Sequence, residues 1–305
     1  MGPELCAAPV ARPTLPDGWL DRAAQRGLLV PGSGASIVSF YAVACTGRIN
    51  LALAACVFLL VYSCYRFDAW TDIARHPSAA QSRRTRALDR GWGRLGPAAI
   101  AGLAGLALAY LGGGAVGASV ALVFPLLVGF YSASAPGDRS RSLEGGRRIK
   151  DLPGLKGIYV ALGWALLIVF ANLFFVDGAP PATLLIMFSW LGLESFVNTV
   201  ACDFKDLERD RSDGTATLPL ILGTARTLRL LRMVNVTAAC LWLCGVIAGA
   251  MPAWTCTVVL VSVYLHWTLS ALERSATDVE NLCSVAMDSF GLTLLPLVAV
   301  GLAWG

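Results

Sequence analysis

The sequence predicts an all-α integral membrane protein, a bundle of about nine transmembrane helices, and three observations carry that expectation. Hydrophobic side chains make up 56% of the 305 residues and charged ones only 14%, well away from the composition of soluble domains. The apolar residues gather into runs of about 17 to 25, the length a helix needs to cross the hydrocarbon. All of the 24 Lys and Arg residues except Arg48 fall in the N-terminal tail, in 66–94, 138–156 and 205–232, or at Arg274. Such a one-sided distribution sets the orientation of a membrane protein.

Residues 1–26 carry Glu4, Arg12, Asp17, Asp21 and Arg22 among several prolines. They lack the basic start, apolar core and small-residue cleavage site of a signal peptide. They read as a cytoplasmic tail ending in an amphipathic segment, Trp19 to Arg26, that lies at the interface; residues 27–305 read as one transmembrane domain. Candidate spans lie near 27–46, 48–67, 95–111, 114–132, 156–176, 181–201, 228–248, 253–272 and 283–304. Pro31, Gly32 and Gly34 interrupt the first, a break tolerated only where neighbouring helices shield the backbone. Gly113/Gly117 and Gly245/Gly249 have the small-xxx-small spacing of close helix packing. The nine cysteines are scattered through apolar segments without C-x-x-C pairs, as small buried hydrophobes in a reducing setting.

The basic connections place those loops, and the N-terminus, in the cytoplasm, with the chain multi-pass in the cell membrane. The net charge of +4 then reports topology and a leaning toward anionic phosphates. No nucleic acid is expected as a partner, because no soluble basic domain exists to carry a duplex. The lipid bilayer is the surrounding partner.

The richest stretch follows the 181–201 run directly: Asp203-Phe-Lys-Asp206-Leu-Glu-Arg-Asp210, leading into Thr217-Leu-Pro. Read as helix, the three Asp positions are three and then four apart, one stripe able to converge on one ligand. Carboxylates packed that way repel unless a cation sits among them. The hard cation that accepts few carboxylates and keeps its other positions for water and phosphate oxygens is Mg2+. A second acidic run, Tyr65-Arg-Phe-Asp68-Ala-Trp-Thr-Asp72-Ile-Ala-Arg-His76, ends the second span on the same side of the membrane. Asp68, Asp72 and His76 are spaced by four and share a face, so the two clusters can meet across one cytoplasm-facing cavity.

These residues resemble the UbiA superfamily of intramembrane prenyltransferases, which includes UbiA-type terpene cyclases. The D-x-x-D-x-x-x-D core at 203–210 with Thr217-Leu-Pro and Leu222-Gly223, the Tyr131-Ser132 pair, and Lys150-Asp-Leu-Pro-Gly-Leu-Lys156-Gly carry the resemblance. It extends over roughly 30–304. The first motif departs from the family's N-x-x-x-D-x-x-x-D. In one register Cys64 replaces the Asn; in the other Asp68 stands for the Asn and His76 for the last acid. Either way a ligand has changed, and neutral imidazole is a poor magnesium ligand.

The resemblance implies a magnesium-dependent enzyme that ionises an isoprenyl diphosphate and transfers the prenyl group to an aromatic or hydroxyl acceptor. The alternative is cyclisation of a farnesyl- or geranylgeranyl-type diphosphate. Metal ligands would be Asp203, Asp206, Asp210, Asp68, Asp72 and, in one register, His76. Arg75, Lys150, Lys156 and Arg209 would bind the diphosphate, since fixed cations suit phosphate oxygens. Tyr131, Glu194, Asn198 and Asp288 are candidates for the cavity, and Phe130, Phe170, Phe196 and Trp267 for its aromatic lining, able to stabilise a carbocation.

Glu194 and Asp288 fall within membrane spans, where a carboxylate is costly. Each either bonds to a neighbouring helix, with Asn172 or Asn198 as partner, or faces the cavity as a base or acceptor-positioning group. A transporter-like bundle is the competing class; it predicts helices broken near the bilayer midplane.

Overall fold

The computed structural model describes residues 18–75, 95–132, 152, 154–176, 179–212, 215–274 and 278–304, and it is helical throughout. A short helix α1 (Trp19–Gln25) precedes α2 (Leu29–Thr46) and α3 (Leu51–Arg75). The helices α4 (Gly96–Ala121), α5 (Val123–Ser132), α6 (Leu155–Phe174) and α7 (Pro181–Cys202) follow. The chain continues through α8 (Leu207–Ser212), α9 (Leu218–Leu222), α10 (Thr224–Ile247), α11 (Val259–Leu272) and α12 (Leu295–Trp304).

Seven segments are long and apolar enough to cross a membrane, and an eighth, Val279–Met287 with Phe290–Trp304, qualifies as a pair bent by 43°. One of the seven, Gly96–Ser132, has 37 residues, too long for one crossing. Its backbone leaves the helical region at Gly113 and at Gly114, where φ is 61°. A Cβ on Gly117 would lie 2.6 Å from the Ala109 carbonyl oxygen, whereas eight residues of straight helix would separate them by about 12 Å. The chain therefore doubles back, and the run is two spans in a hairpin. Counted so, the described residues hold the nine spans expected, with the hairpin where the sequence divides 95–111 from 114–132.

Pro31 does not break the first span. It sits in the first turn of α2, where its missing N–H has no helical acceptor to satisfy. Gly34 faces Val57 and Trp164 at 3.3 to 3.4 Å from where its Cβ would stand, so the glycines serve close packing. Gly245 likewise packs on Ile186, but Gly249 has open space around it and a φ of 71°, and it ends the α10 turn rather than joining two helices. The described cysteines are free thiols, and Cys240, Cys244 and Cys256 are exposed rather than buried as expected.

Neighbours in sequence pack side by side: α2 on α3, α3 on α4, α6 on α7, α7 on α10, α10 on α11, and the last span closes on α2. Phe40 meets Trp254 at 5.3 Å between centroids, and Trp242 meets Trp190 at 5.0 Å. Trp242 also donates to the Thr255 carbonyl at 2.9 Å. Each aromatic pair adds about 0.5–1.5 kcal/mol beyond area burial. This cluster fills the half of the bundle near the 46–51 and 247–253 connections. The ends of α3, α5 and α7 and the starts of α1, α6 and α10 gather at the opposite end.

Candidate active site

α7 ends at Cys202, and the chain tightens into a 3₁₀ turn, Asp203–Asp206, before α8. The single helix expected through Asp203, Asp206 and Asp210 is thus replaced by a change of pitch. Residues i and i+3 eclipse in a 3₁₀ turn, so Asp203 and Asp206 still share a face, and α8 brings Asp210 back to them. Asp203 and Asp210 are buried, at 2% and 6% exposure. Asp206 is less buried and pairs with Arg209 at 3.7 Å. Asp210 lies within electrostatic reach of Lys156, Asp206, Asp203 and Arg209.

Lys156 donates to Asp203 Oδ1. The local sequence explains how it reaches. Gly154, at φ 68°, turns the chain into α6. A Cβ on Gly157 would stand 2.8 Å from Val200 and 3.1 Å from Phe196, so glycine is what lets the ends of α6 and α7 approach this closely. Lys156 therefore meets Asp203 across the helix pair.

The first motif connects to the same place through α5. Ser132 Oγ donates to Asp68 Oδ1 at 2.8 Å. Its neighbour Tyr131 stacks on Tyr159 of α6 at 5.4 Å and lies within electrostatic reach of Lys156. A continuous series thus runs Asp68, Ser132–Tyr131, Lys156, Asp203, and the two acidic motifs share one end of the bundle. Asp72 and Arg75 belong to the last turn of α3, but their side chains, with His76 and Lys150 entire, lie outside the described residues.

A small pocket opens beside this series, with Gly154, Lys156, Asp203, Thr217 and Leu218 in its wall. Asp210 Oδ2 and Thr217 Oγ1 are buried without hydrogen-bond partners. Native proteins leave few such atoms unsatisfied, so the Thr217 hydroxyl in the pocket wall marks a place for a ligand or water. Among the described residues no three His, Cys, Asp or Glu side chains stand close enough to hold a metal ion by themselves.

The two carboxylates within the spans meet hydroxyl groups rather than Asn172 or Asn198. Glu194, fully buried, accepts from Ser262 Oγ at 2.7 Å through one oxygen, while the other has no partner. Asp288 accepts from the Tyr65 hydroxyl at 3.2 Å. Asn172 accepts from Tyr41, and Asn198 Oδ1 is buried without a partner. Of the expected aromatic lining, Phe170 is in the core, while Phe130 and Trp267 are 64% and 55% exposed. Tyr65, Ser132 and Thr217 stood in the quoted motifs without an assigned role; the structure gives each a place at or beside the acids.

The model of the UbiA prenyltransferase family matches residues 93–287, which includes the second acidic motif and begins after the first. No curated protein matches the chain. Solved structures do. An apo UbiA homologue from Aeropyrum pernix K1 is similar at TM-score 0.63 and 14% identity, over 94% of this chain and 98% of that one. A UbiA homologue from Archaeoglobus fulgidus bound to GPP and Mg2+ is similar at TM-score 0.60 and 14% identity, over 93% and 98%. A digeranylgeranylglyceryl phosphate synthase is similar at TM-score 0.55 and 15% identity, over 93% and 96%.

Proposed function

Because the chain belongs to the UbiA prenyltransferase family, we propose that it is a magnesium-dependent enzyme that ionises an isoprenyl diphosphate and transfers the prenyl group to an aromatic or hydroxyl acceptor. The observation that carries this reading is the meeting of both acidic motifs at one bundle end, joined through Ser132 and Lys156. The GPP- and Mg2+-bound Archaeoglobus homologue supports the choice of substrate class and cation.

The donor set suits Mg2+. It consists of carboxylates and includes a buried Asp210 oxygen with no protein partner; since no three of the described acids stand close enough to hold the ion alone, water and phosphate oxygens would have to complete its shell. Asp203, Asp206 and Asp210, with Asp68 and Asp72, hold the ion in this reading, and His76 joins them in one register of the first motif. When bound, Mg2+ neutralises the charge that builds on the diphosphate as it leaves.

The protein's own groups do the rest. Lys156, fixed by Asp203, presents a positive charge toward the diphosphate, and Arg209 on the α8 turn adds a guanidinium fork. Arg75 and Lys150 serve the same end in this reading. The Thr217 hydroxyl donates to a phosphate oxygen at the pocket wall. The prenyl tail lies between the helices beneath, where water is excluded from the allylic cation. The basic segments support a cytoplasm-facing mouth.

A second reading, cyclisation, is favoured by the altered first motif, which the family match leaves out. The transporter-like reading has the bent last span in its favour, and membership in a prenyltransferase family outweighs it. Purified, detergent-solubilised protein with Mg2+ and geranyl, farnesyl or geranylgeranyl diphosphate, with and without aromatic and hydroxyl acceptors, tests the reading. A prenylated acceptor with released diphosphate is expected. A cyclic hydrocarbon formed without acceptor would replace transfer by cyclisation, and no diphosphate release under any condition would overturn both.

A further inference from the structure

The last span is not a regular helix. A π-helical stretch, Leu282–Met287, gives way at Asp288 and Ser289 to a 3₁₀ stretch, Phe290–Leu294. Irregular backbone at membrane depth persists only where protein buries it or where it lines a cavity, and π-helical insertions recur at functional sites. Here α2 buries one side of the break: Ser33 Oγ donates to the Asp288 carbonyl at 2.8 Å, and a Cβ on Gly291 would meet Ser33 at 2.7 Å. The break aims the Asp288 side chain the other way, at α3, where the Tyr65 hydroxyl donates to it at 3.2 Å.

Tyr65 stands three residues before Asp68 and seven before Asp72, on the same stripe of α3. Three residues of helix rise about 4.5 Å, so the Tyr65–Asp288 pair lies one turn deeper in the bundle than the first acidic motif. The second motif is also near, because Cys202, which precedes Asp203, lies within electrostatic reach of Asp288. A carboxylate thus sits about one turn below the first motif and near the start of the second. With the diphosphate held at the acids, that is the level of the first isoprene unit. A carboxylate so deep is costly to keep unless it has a task.

We propose that Asp288 is the proton acceptor that completes the reaction, with Tyr65 as its positioning residue. The inference rests on the function proposed above, but not on which acceptor is used. Ionisation breaks the C1–O bond, and the electron pair leaves with diphosphate. The cation then forms a new C–O or C–C bond with a hydroxyl, a ring carbon or an internal double bond. In each case one proton must leave, from the hydroxyl, from the attacked ring carbon, or from the carbon beside the cyclised cation. The Asp288 carboxylate takes that proton, and the Tyr65 hydrogen bond holds the carboxylate toward it.

The test compares Asp288→Asn, Asp288→Glu, Tyr65→Phe and Asp206→Ala in the full detergent-solubilised chain with Mg2+ and the three prenyl diphosphates, measuring released diphosphate and organic products together. Asp288→Asn should lower kcat by about 10²- to 10³-fold, the usual worth of a general base. It should leave KM for the prenyl diphosphate within about threefold and shift the remaining product toward water-trapped alcohol. Asp288→Glu should recover part of kcat. Tyr65→Phe, which removes no charge, should lower kcat about tenfold at unchanged KM, about the worth of one hydrogen bond. Wild-type kcat and product distribution in both Asp288→Asn and Tyr65→Phe would overturn the inference. Diphosphate release retained in Asp206→Ala would instead overturn the reading on which it rests.

Discussion

The two acidic motifs reach the same mouth but are held in opposite ways. The second is built into the structure: α7 tightens to a 3₁₀ turn so that Asp203 is buried against Lys156, and Asp210 is buried one turn further on. The first rides on the last turns of α3, where Ser132 donates to Asp68. The family match draws the same line, covering the second motif and starting beyond the first. The buried half fixes charge in position at a desolvation cost that Lys156 offsets. The half on the end of α3 is where the expected departure from the family's pattern, at Cys64 or His76, falls.

If that division is right, Asp206→Ala should have the largest effect, a loss of at least about 10³-fold in diphosphate release with helical content unchanged, as removal of a group that stabilises leaving-group charge does. A well-folded Asp206→Ala chain that turns over normally would break the assignment of the second motif. Next comes Lys156→Met, expected to cost about 10²-fold in kcat/KM and to lower Tm, because Asp203 is left buried and unpaired. Adding Asp203→Asn should recover Tm without recovering turnover. If turnover returned with Tm, the pair would be structural only. Ser132→Ala should be milder, within about tenfold and confined to the Mg2+ concentration dependence, since one hydrogen bond to Asp68 is lost. An effect as large as that of Lys156→Met would make the first motif as firmly held as the second. The smallest change expected is a shift of about threefold in the Mg2+ midpoint for His76→Asp, restoring a carboxylate to a set of hard oxygen ligands. An unchanged titration would favour the register in which Cys64 replaces the Asn.

How much of this could be read beforehand follows from what each signal measures. Span positions and the side on which the acids lie come from hydropathy and charge, both local, and the chain divides at Gly113 and Gly114 as the sequence implies. Pro31 was misleading because the first turn of a helix tolerates proline, and a pattern does not say which turn it occupies. The exposed Phe130 and Trp267 could not be told from the buried Phe170, because a span apolar all round carries no face signal. The partners of Glu194 and Asp288 depend on the rotation of helices far apart in sequence, which spacing along one helix does not encode. The series from Asp68 to Asp203 was legible only in part: Lys156 and Tyr131 stood in the motifs, but the hydroxyl of Ser132 as the tie to α3 needed coordinates.

The reversal at Gly113 and Gly114 has a mechanical meaning. With Ala109 and Gly117 in backbone contact across the turn, neither span of that hairpin has slack to move alone along the membrane normal. Pulled from the bilayer through either end, residues 96–132 should come out as one unit and register a single force step, where neighbouring spans joined by longer connections yield one at a time.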